Sequence, residues 1–330
     1  MRSVLLRVPR ALRKNRIFNV DGTLRNTDNC LDPFIAWKRR WQEKNITLDT
    51  EDVGDEAQCD KIIVFDITKK NLEYAQKCVR KYGKDKMMVI LWEPPSVRPM
   101  NWNVSNHNLF GKVFTWDDDL VDNRKYFKIY IAQPTLPFRG YEVSFQSKKL
   151  CNLISANKRS DYSYELYTER IKAIRFFEKN APDKFDLYGF GWNKGITLAQ
   201  KLLPFLKPYY PSYRGTIAEK GPLLASYKFS ICYENTTNVR GYVTEKIFDC
   251  FQGGCVPVYL GADNIAAYVP ENTFIDKRKF SSYEELLCFL ENMDEETYYS
   301  YIKKIEEFLQ TDAFKKFSGV SLADSIEKEL

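Results

Sequence analysis

The chain has 330 residues, of which 44% are hydrophobic and 15% aromatic, enough apolar material for two α/β domains of ordinary size. Its 50 basic and 44 acidic residues give a net charge of +6 and are interspersed along the sequence. A nucleic-acid-binding protein usually concentrates its basic residues on one face, so this pattern argues against that class. No apolar run has the length of a membrane span, and the basic start is not followed by the apolar core of a signal peptide.

Cysteine and histidine usage narrows the chemistry further. The eight cysteines form no CxxC pair, and several fall inside predicted strands or helices, where a free thiol behaves as a small buried hydrophobe. This favours a reducing compartment. The single histidine, His107, lies in a polar stretch, and we expect it at the surface. One histidine argues against a Ser-His-Asp hydrolase and excludes a histidine-rich metal centre.

The first half of the chain has the pattern of alternating strands and helices. A helix over 32–44 places Phe34, Trp37 and Trp41 on one stripe, which we interpret as core rather than as a sugar-stacking platform. A second helix is predicted over 71–82. Strands are predicted over 61–67, 87–92, 112–116 and 126–131.

The strand at 87–92 is almost continuously apolar, as in a buried parallel sheet, and it is followed by Glu93 and two prolines. Open α/β folds bind their ligands at the carboxyl ends of the strands, and the prolines hold the carboxylate on a rigid turn. Glu93 is therefore predicted to lie at a ligand site, where a carboxylate can serve as a general base. The alternative is a loop carboxylate without a catalytic role.

A segment rich in Pro and Gly at 134–140 is interpreted as an interdomain linker, and a second α/β pattern follows it. Its strands are predicted over 151–155, 185–188, 228–233, 255–260 and 274–276, and its helices over about 164–179, 283–290 and 298–309.

Residues 227–264 combine a strand, a polar loop, a helix and a second strand. Thr244 is predicted as the helix N-cap, and Gly253 with Gly254 ends the helix. Lys246 lies in the first turn, where the helix dipole disfavours a cation unless an anion is bound beside it. The free N–H groups of the helix start and this lysine together predict a cradle for a diphosphate. The alternative is an ordinary solvated surface lysine.

Three residues of the same stretch, Asn235, Tyr242 and Glu245, carry groups that hydrogen-bond sugar and ribose hydroxyls. The stretch contains, in order, the motifs YEN at 233–235, GYVTEKI at 241–247, VPV at 256–258 and the single Gly261. In these motifs it resembles the donor-binding signature of the α1,3/4-fucosyltransferases.

The resemblance implies an α/β protein of the GT-B class, with two Rossmann-like domains facing a cleft. It implies an acceptor-binding domain over 1–147, a GDP-fucose-binding domain over 148–310, and a C-terminal helix over 311–330 that packs back on the first domain. The implied activity is inverting transfer of L-fucose from GDP-fucose to a glycan hydroxyl, in this family most often O3 of N-acetylglucosamine.

The resemblance also assigns residues. It supports Glu93 as the base, and it implies that an arginine after the 151–155 strand grips the donor phosphates. Arg170 stands at the matching place, with Arg159 and Arg175 as alternatives, or it is a plain helix-surface charge. The expected catalytic residues are Glu93, Lys246 and Arg170. The expected donor-binding residues are Asn235, Tyr242, Thr244, Glu245, Lys246 and Arg170.

No metal ligand is expected, because GT-B enzymes neutralise the leaving diphosphate with cationic side chains and a helix terminus. The acidic run at 117–119 is accordingly interpreted as a solvated loop or a helix cap. The donor is a substrate, no cofactor is required, and Mn²⁺ or Mg²⁺ would at most stimulate turnover.

Two rival functions stay open at this point: a GT-B glycosyltransferase that uses another nucleotide sugar, and a non-catalytic glycan-binding relative. The expected partners are GDP-fucose and an oligosaccharide or glycoconjugate acceptor, with no nucleic acid. Golgi members of the family carry a membrane anchor that this sequence lacks. We therefore expect a cytoplasmic enzyme, soluble or peripheral at a membrane, with an excised Golgi-type catalytic domain as the alternative.

Overall fold

The structure is a computed structural model that describes residues 2–19, 22, 26–195, 202–203, 205 and 207–330. The chain forms two compact units, and each contains a parallel β-sheet with helices. Unit 1 comprises Met1–Thr135, Val239–Tyr242 and Asp312–Leu330, and unit 2 comprises Leu136–Asn238 and Val243–Thr311.

The strands of unit 1 are β1 (Arg2–Arg7), β2 (Ile46–Thr50), β3 (Lys61–Phe65), β4 (Met87–Leu91), β5 (Lys112–Thr115) and β6 (Tyr126–Lys128). They form a sheet of order β2-β1-β3-β4-β5-β6, and each neighbouring pair is parallel. All five residues of β4 are buried, which explains its apolar sequence. The helices are α1 (Asp32–Glu43), α2 (Lys69–Tyr82) and, at the end of the chain, α8 (Asp312–Lys315) and α9 (Gly319–Glu327).

Helix α1 packs on this sheet and also on α9. Trp37 and Trp41 are both 0% exposed, so the interpretation of their stripe as core is confirmed. The indole N–H of Trp41 donates to the carbonyl oxygen of Ala323 at 3.0 Å. At the rim of the contact, Arg40 Nε lies 2.9 Å from Asp324 Oδ1. The last residues of the chain are therefore part of the core of unit 1.

The strands of unit 2 are β7 (Lys149–Ile154), β8 (Phe185–Tyr188), β9 (Tyr227–Tyr233), β10 (Val256–Leu260) and β11 (Ile275–Asp276). They form a sheet of order β11-β10-β9-β7-β8, which is also parallel throughout. The helices are α3 (Tyr167–Asn180), α4 (Lys220–Ala225), α5 (Glu245–Gln252), α6 (Tyr283–Asn292) and α7 (Glu295–Leu309). The strands and helices predicted from the sequence are thus recovered, the C-terminal helix expected over 311–330 as α8 and α9, and β2 and α4 are added.

The expectation of a surface histidine is wrong. His107 is 0% exposed, with Nε2 2.7 Å from the carbonyl oxygen of Asn101 and Nδ1 3.1 Å from the Tyr126 hydroxyl. Burial lowers the pKa of His107, so the ring is neutral at physiological pH. A neutral ring fits this setting with Nε2–H donating to Asn101 and Nδ1 accepting from Tyr126. The prediction failed because it took the polar sequence around His107 as a sign of exposure. In the fold, the two ring nitrogens are hydrogen-bonded to Asn101 and Tyr126.

The cysteines follow the prediction. All eight are free thiols; Cys30 and Cys288 are exposed and the other six are buried. Over the residues that the structure describes, no helix combines the length and the apolarity needed to cross a membrane.

Candidate active site

The junction between β9 and α5 is the centre of the candidate donor site. Helix α5 begins at Glu245 and ends at Gln252, and Gly253 follows it as the C-cap. Thr244 is the N-cap, with its Oγ1 3.5 Å from the Lys246 N–H. The predicted N-cap and the predicted end of the helix are both confirmed. Both could be predicted because they depend on residues adjacent in the chain.

A buried carboxylate joins the end of β9 to the start of α5. Glu234 is 0% exposed and directly follows the last residue of the strand. Its Oε1 accepts from the Thr244 N–H at 2.9 Å, and its Oε2 accepts from the Thr244 hydroxyl at 2.7 Å and from the Lys246 ammonium at 3.1 Å. Glu234 stands within the YEN motif, and no role is predicted for it from the sequence. The available signal was its place after an apolar strand, the same signal that singled out Glu93.

The Lys246 ammonium lies among three protein oxygens. It is 3.1 Å from Glu234 Oε2, 3.0 Å from Thr244 Oγ1 and 3.2 Å from Glu245 Oε1. Burial alone would lower the pKa of Lys246, but the charges of Glu234 and Glu245 raise it above its ordinary value. Two carboxylates of the protein therefore compensate the unfavourable position of this cation at the helix start. The sequence alone predicts only a bound diphosphate for this role.

Glu245 is the more open of the two carboxylates, with a side chain 47% exposed. Partial burial would raise its pKa, but the attraction of Lys246, followed by that of Lys220, lowers the pKa to about 2. Both members of the Glu245–Lys246 pair are therefore ionised across the physiological pH range.

Arg170 reaches the same junction from α3. It is 4% exposed, and its Nη2 donates to the carbonyl oxygens of Tyr233 and Glu234 at 2.6 and 2.7 Å and to Asn235 Oδ1 at 3.1 Å. Its charge is close enough to Lys246 to oppose the rise in the pKa of that lysine. Arg170, Glu234, Asn235 and Lys246 thus form one polar cluster at the carboxyl end of β9.

The two alternative arginines are both exposed. Arg175 is on the surface, where its Nη1 is 2.6 Å from Glu178 Oε2 and 2.8 Å from the carbonyl oxygen of Tyr209. Arg159 is exposed. Of the three candidates, Arg170 is the one whose guanidinium contacts the end of β9.

Tyr242 belongs to unit 1, and its side chain is 2% exposed. Its ring packs against Trp116 with 4.6 Å between the centroids and 47° between the ring planes, and Trp116 in turn contacts Trp102 at 4.9 Å. The donor-binding role predicted for Tyr242 therefore concerns a side chain that is almost fully buried.

Glu93 lies in the turn after β4, at the carboxyl edge of the sheet, as predicted. Its N–H donates to Asp66 Oδ1 at 3.1 Å, and its carbonyl oxygen accepts from Asn101 Nδ2 and Trp102 Nε1, each at 3.1 Å. The main chain of Glu93 is therefore held from both sides.

Asp66 is a second carboxylate at this edge, and it is not among the residues predicted from the sequence. It follows β3 as Glu93 follows β4, it is 6% exposed, and its φ of 63° lies in the left-handed region. Burial raises the pKa of its carboxyl, against the opposing effect of hydrogen bonds from Asn101 and the Trp92 N–H. The carboxyl ends of neighbouring parallel strands meet at one sheet edge, and this rule could have pointed to Asp66.

The acidic run at 117–119 is balanced by protein cations. Lys128 Nζ lies 2.7 Å from Asp118 Oδ1, and Arg240 Nη1 lies 3.3 Å from Asp119 Oδ1. Across the described part of the chain, no group of three or more His, Cys, Asp and Glu side chains is arranged to hold a metal ion.

Comparison with known proteins places the β9–α5 junction in a recognised family region. Residues 210–318 match the model described as glycosyltransferase family 10 (fucosyltransferase) C-term. The chain is 41% identical over 73 residues to the alpha-(1,4)-fucosyltransferase of Arabidopsis thaliana. The resemblance to the α1,3/4-fucosyltransferases is confirmed. A second relative, the alpha-(1,3)-fucosyltransferase FucT of Helicobacter pylori, is 32% identical over 74 residues.

These sequence matches are local. Each covers 22% of this chain, and they cover 18% of the Arabidopsis protein and 15% of the Helicobacter protein. The likeness in structure extends further. A crystal structure of an alpha1,3-fucosyltransferase with GDP-fucose matches with a TM-score of 0.58 at 15% identity, over 99% of this chain and 89% of that one. The GT-B fold class predicted from the sequence is confirmed.

Proposed function

We propose that this chain is an inverting fucosyltransferase that transfers L-fucose from GDP-fucose to a hydroxyl of a glycan, with O3 of N-acetylglucosamine as the expected acceptor position. The observation that carries the proposal is the polar cluster at the end of β9, in which the Lys246 ammonium contacts the buried carboxylate of Glu234 and the Arg170 guanidinium contacts the main-chain carbonyl oxygen of the same residue. This cluster lies inside the stretch that matches the fucosyltransferase family model.

On the donor side, the proposal assigns the diphosphate of GDP-fucose to Lys246 at the start of α5. Negative charge builds on the diphosphate as the bond from the sugar C1 to the phosphate oxygen breaks. A fixed ammonium stabilises that charge more in the transition state than in the ground state, and Arg170 adds to the positive potential. Asn235, Tyr242, Thr244 and Glu245 are assigned to orienting the donor.

On the acceptor side, the proposal assigns the general base to Glu93. The hydroxyl oxygen of the acceptor forms a bond to C1 of fucose on the face opposite the phosphate, which inverts the configuration there. The hydroxyl proton passes to the Glu93 carboxylate, and GDP leaves with the bonding electrons. The fixed main chain of Glu93 supports this role, because a base must be held within hydrogen-bond reach of the proton it removes.

The proposal needs no metal ion, since protein cations supply the positive charge at the diphosphate; Mn²⁺ or Mg²⁺ would at most stimulate turnover. We place the enzyme in the cytoplasm, in solution or peripherally at a membrane. Its eight free cysteines, six of them buried, support a reducing compartment.

The experiment that tests the proposal is product analysis by mass spectrometry, with GDP-fucose and a panel of lacto- and neolacto-type oligosaccharides. We expect one deoxyhexose to be added to a subset of the acceptors, with NMR assigning an α linkage to O3 of N-acetylglucosamine. A parallel donor panel contains GDP-mannose and UDP-sugars. Turnover with one of these donors alone would contradict the fucose assignment, and glycan binding without any product would contradict transfer.

A further inference from the structure

We propose that Asp66 is a positioning residue for Glu93: its buried carboxylate fixes the turn after β4, so that the Glu93 carboxylate meets the acceptor hydroxyl in one orientation. This inference rests on the proposed role of Glu93 as the general base. It adds a residue that follows a different strand, β3, to the residues that serve the acceptor.

The turn is built around a single oxygen atom. Asp66 Oδ1 accepts from the Trp92 N–H at 2.8 Å, from the Glu93 N–H at 3.1 Å and from Asn101 Nδ2 at 2.6 Å. Two consecutive N–H groups reach one acceptor only if the main chain bends around it. The conformation of the turn therefore depends on this carboxylate.

The opposite side of Glu93 is held as well. Its carbonyl oxygen accepts from Asn101 Nδ2 and from Trp102 Nε1. With the peptide groups on both sides of its Cα atom fixed, the direction of its Cα–Cβ bond is fixed too. Catalytic groups placed in this way lose little orientational freedom when substrate binds.

Asp66 itself is held in an unusual conformation. Its left-handed backbone is uncommon for a residue other than glycine, although aspartate tolerates it better than most. Its N–H donates to the carbonyl oxygen of Ile90 at 3.0 Å, and its carbonyl oxygen accepts from Asn71 Nδ2 at 2.8 Å. Asn101, which is 0% exposed, completes the network by accepting from the Ile67 N–H at 2.6 Å. Buried networks of this kind are rigid when their members are satisfied.

The first test is steady-state kinetics of Asp66→Ala and Asp66→Asn. The alanine variant should lose about 30-fold to 100-fold in kcat, since a small displacement of a catalytic group has effects of this order. The KM for GDP-fucose and the Kd for GDP should stay within about twofold, because the donor contacts are untouched. Asp66→Asn should keep most of the rate, because one oxygen receives all three hydrogen bonds and an amide oxygen can do the same.

The matched control is Asp122 of unit 1, whose Oδ1 accepts three hydrogen bonds as that of Asp66 does, here from the main-chain N–H groups of residues 124, 125 and 126 at 2.8 to 2.9 Å. It precedes β6, and these three hydrogen bonds stay within residues 122–126. Asp122→Ala should leave kcat within about twofold of the wild type. A loss equal to that of Asp66→Ala would show a general effect of losing a turn and would overturn the inference.

A double-mutant cycle separates positioning from a structural role. The variant Asp66→Ala/Glu93→Gln should be no slower than Glu93→Gln alone, within about threefold, because a base that has been removed cannot be misplaced. Equal factors of loss in both backgrounds would overturn the inference. So would an unchanged kcat in Asp66→Ala while Glu93→Gln is slow, and in that case the proposed base would stand.

Two further outcomes are informative. If Glu93→Gln keeps the wild-type kcat, the base assignment fails and this inference falls with it.

If Asp66→Ala does not fold, the variant Trp102→Phe takes its place. This substitution removes one hydrogen-bond donor to the Glu93 carbonyl oxygen and keeps an aromatic ring. Its kcat should fall several-fold in the wild-type background and not in the Glu93→Gln background. An equal fall in both would overturn the proposal.

Discussion

The carboxylate of Glu234, which is fully buried, lies 3.1 Å from the ammonium of Lys246. This pair connects the residue that follows β9 to the first turn of α5, and it holds a cation where the helix dipole opposes one. Breaking a buried pair leaves one charge without compensation, so either residue should be sensitive to substitution. The pair also orients the lysine that the proposal assigns to the donor diphosphate.

Replacing Lys246 with alanine should abolish measurable turnover and weaken GDP binding together. A preorganised cation of this kind contributes a factor of about 100 to 1,000 in kcat. The measurements are kcat by product formation and the Kd for GDP by calorimetry. The exposed Lys304, which pairs with Glu307 on α7, provides a control in Lys304→Ala, whose GDP affinity should be unchanged. An unchanged GDP affinity in Lys246→Ala would count against the diphosphate cradle.

Replacing Glu234 with glutamine should destabilise the protein by about 3 kcal/mol and lower kcat, because Lys246 loses its buried counter-charge while the Thr244 contacts can be kept. The free energy of unfolding is measured by urea denaturation. Asp186→Asn is the matched control: this carboxylate of unit 2 is 5% exposed and pairs with Lys149 and Arg214. It should lose stability and keep kcat. If both variants keep kcat, the pair has no part in turnover.

Glu245 should make the stability of the protein depend on acid pH. Its pKa falls from an ordinary 4.5 to about 2 in the folded chain. A carboxylate with a lowered folded pKa stabilises the fold above its unfolded pKa, and this contribution is lost as the pH falls through the folded value. The difference in Tm between the wild type and Glu245→Gln should therefore be constant from pH 5 to 7 and shrink between about 4.5 and 2. A difference that does not change over this acid range would contradict the assigned pKa.

Chelation should leave most of the activity. In the proposed mechanism Lys246 and Arg170 neutralise the diphosphate. Turnover after treatment with EDTA should therefore stay within about threefold of the rate with added Mn²⁺ or Mg²⁺. The assay compares the chelated enzyme, the enzyme returned to each cation, and an untreated sample. Complete loss of turnover that a divalent cation restores would show a metal requirement and refute this part of the proposal.

The sequence was sufficient wherever structure depends on neighbours in the chain. Thr244 and Gly253 could be assigned to the ends of α5, because caps are formed within a turn of the helix. The apolar run of β4 indicated a buried parallel strand, and a carboxylate after such a strand stands at the sheet edge, so Glu93 was found. The motifs around Lys246 were enough to indicate the resemblance to the α1,3/4-fucosyltransferases and, through it, the fold.

Only the tertiary structure decided how these residues are paired. Glu234 meets Lys246 across 12 positions, Asp66 meets Glu93 across 27, and Arg170 meets Glu234 across 64. Parallel strands bring such residues together through crossover helices, and neither periodicity nor local propensity specifies which polar groups then face one another. For the same reason His107 was misplaced: a polar stretch of sequence does not reveal that its side chains are satisfied by buried partners.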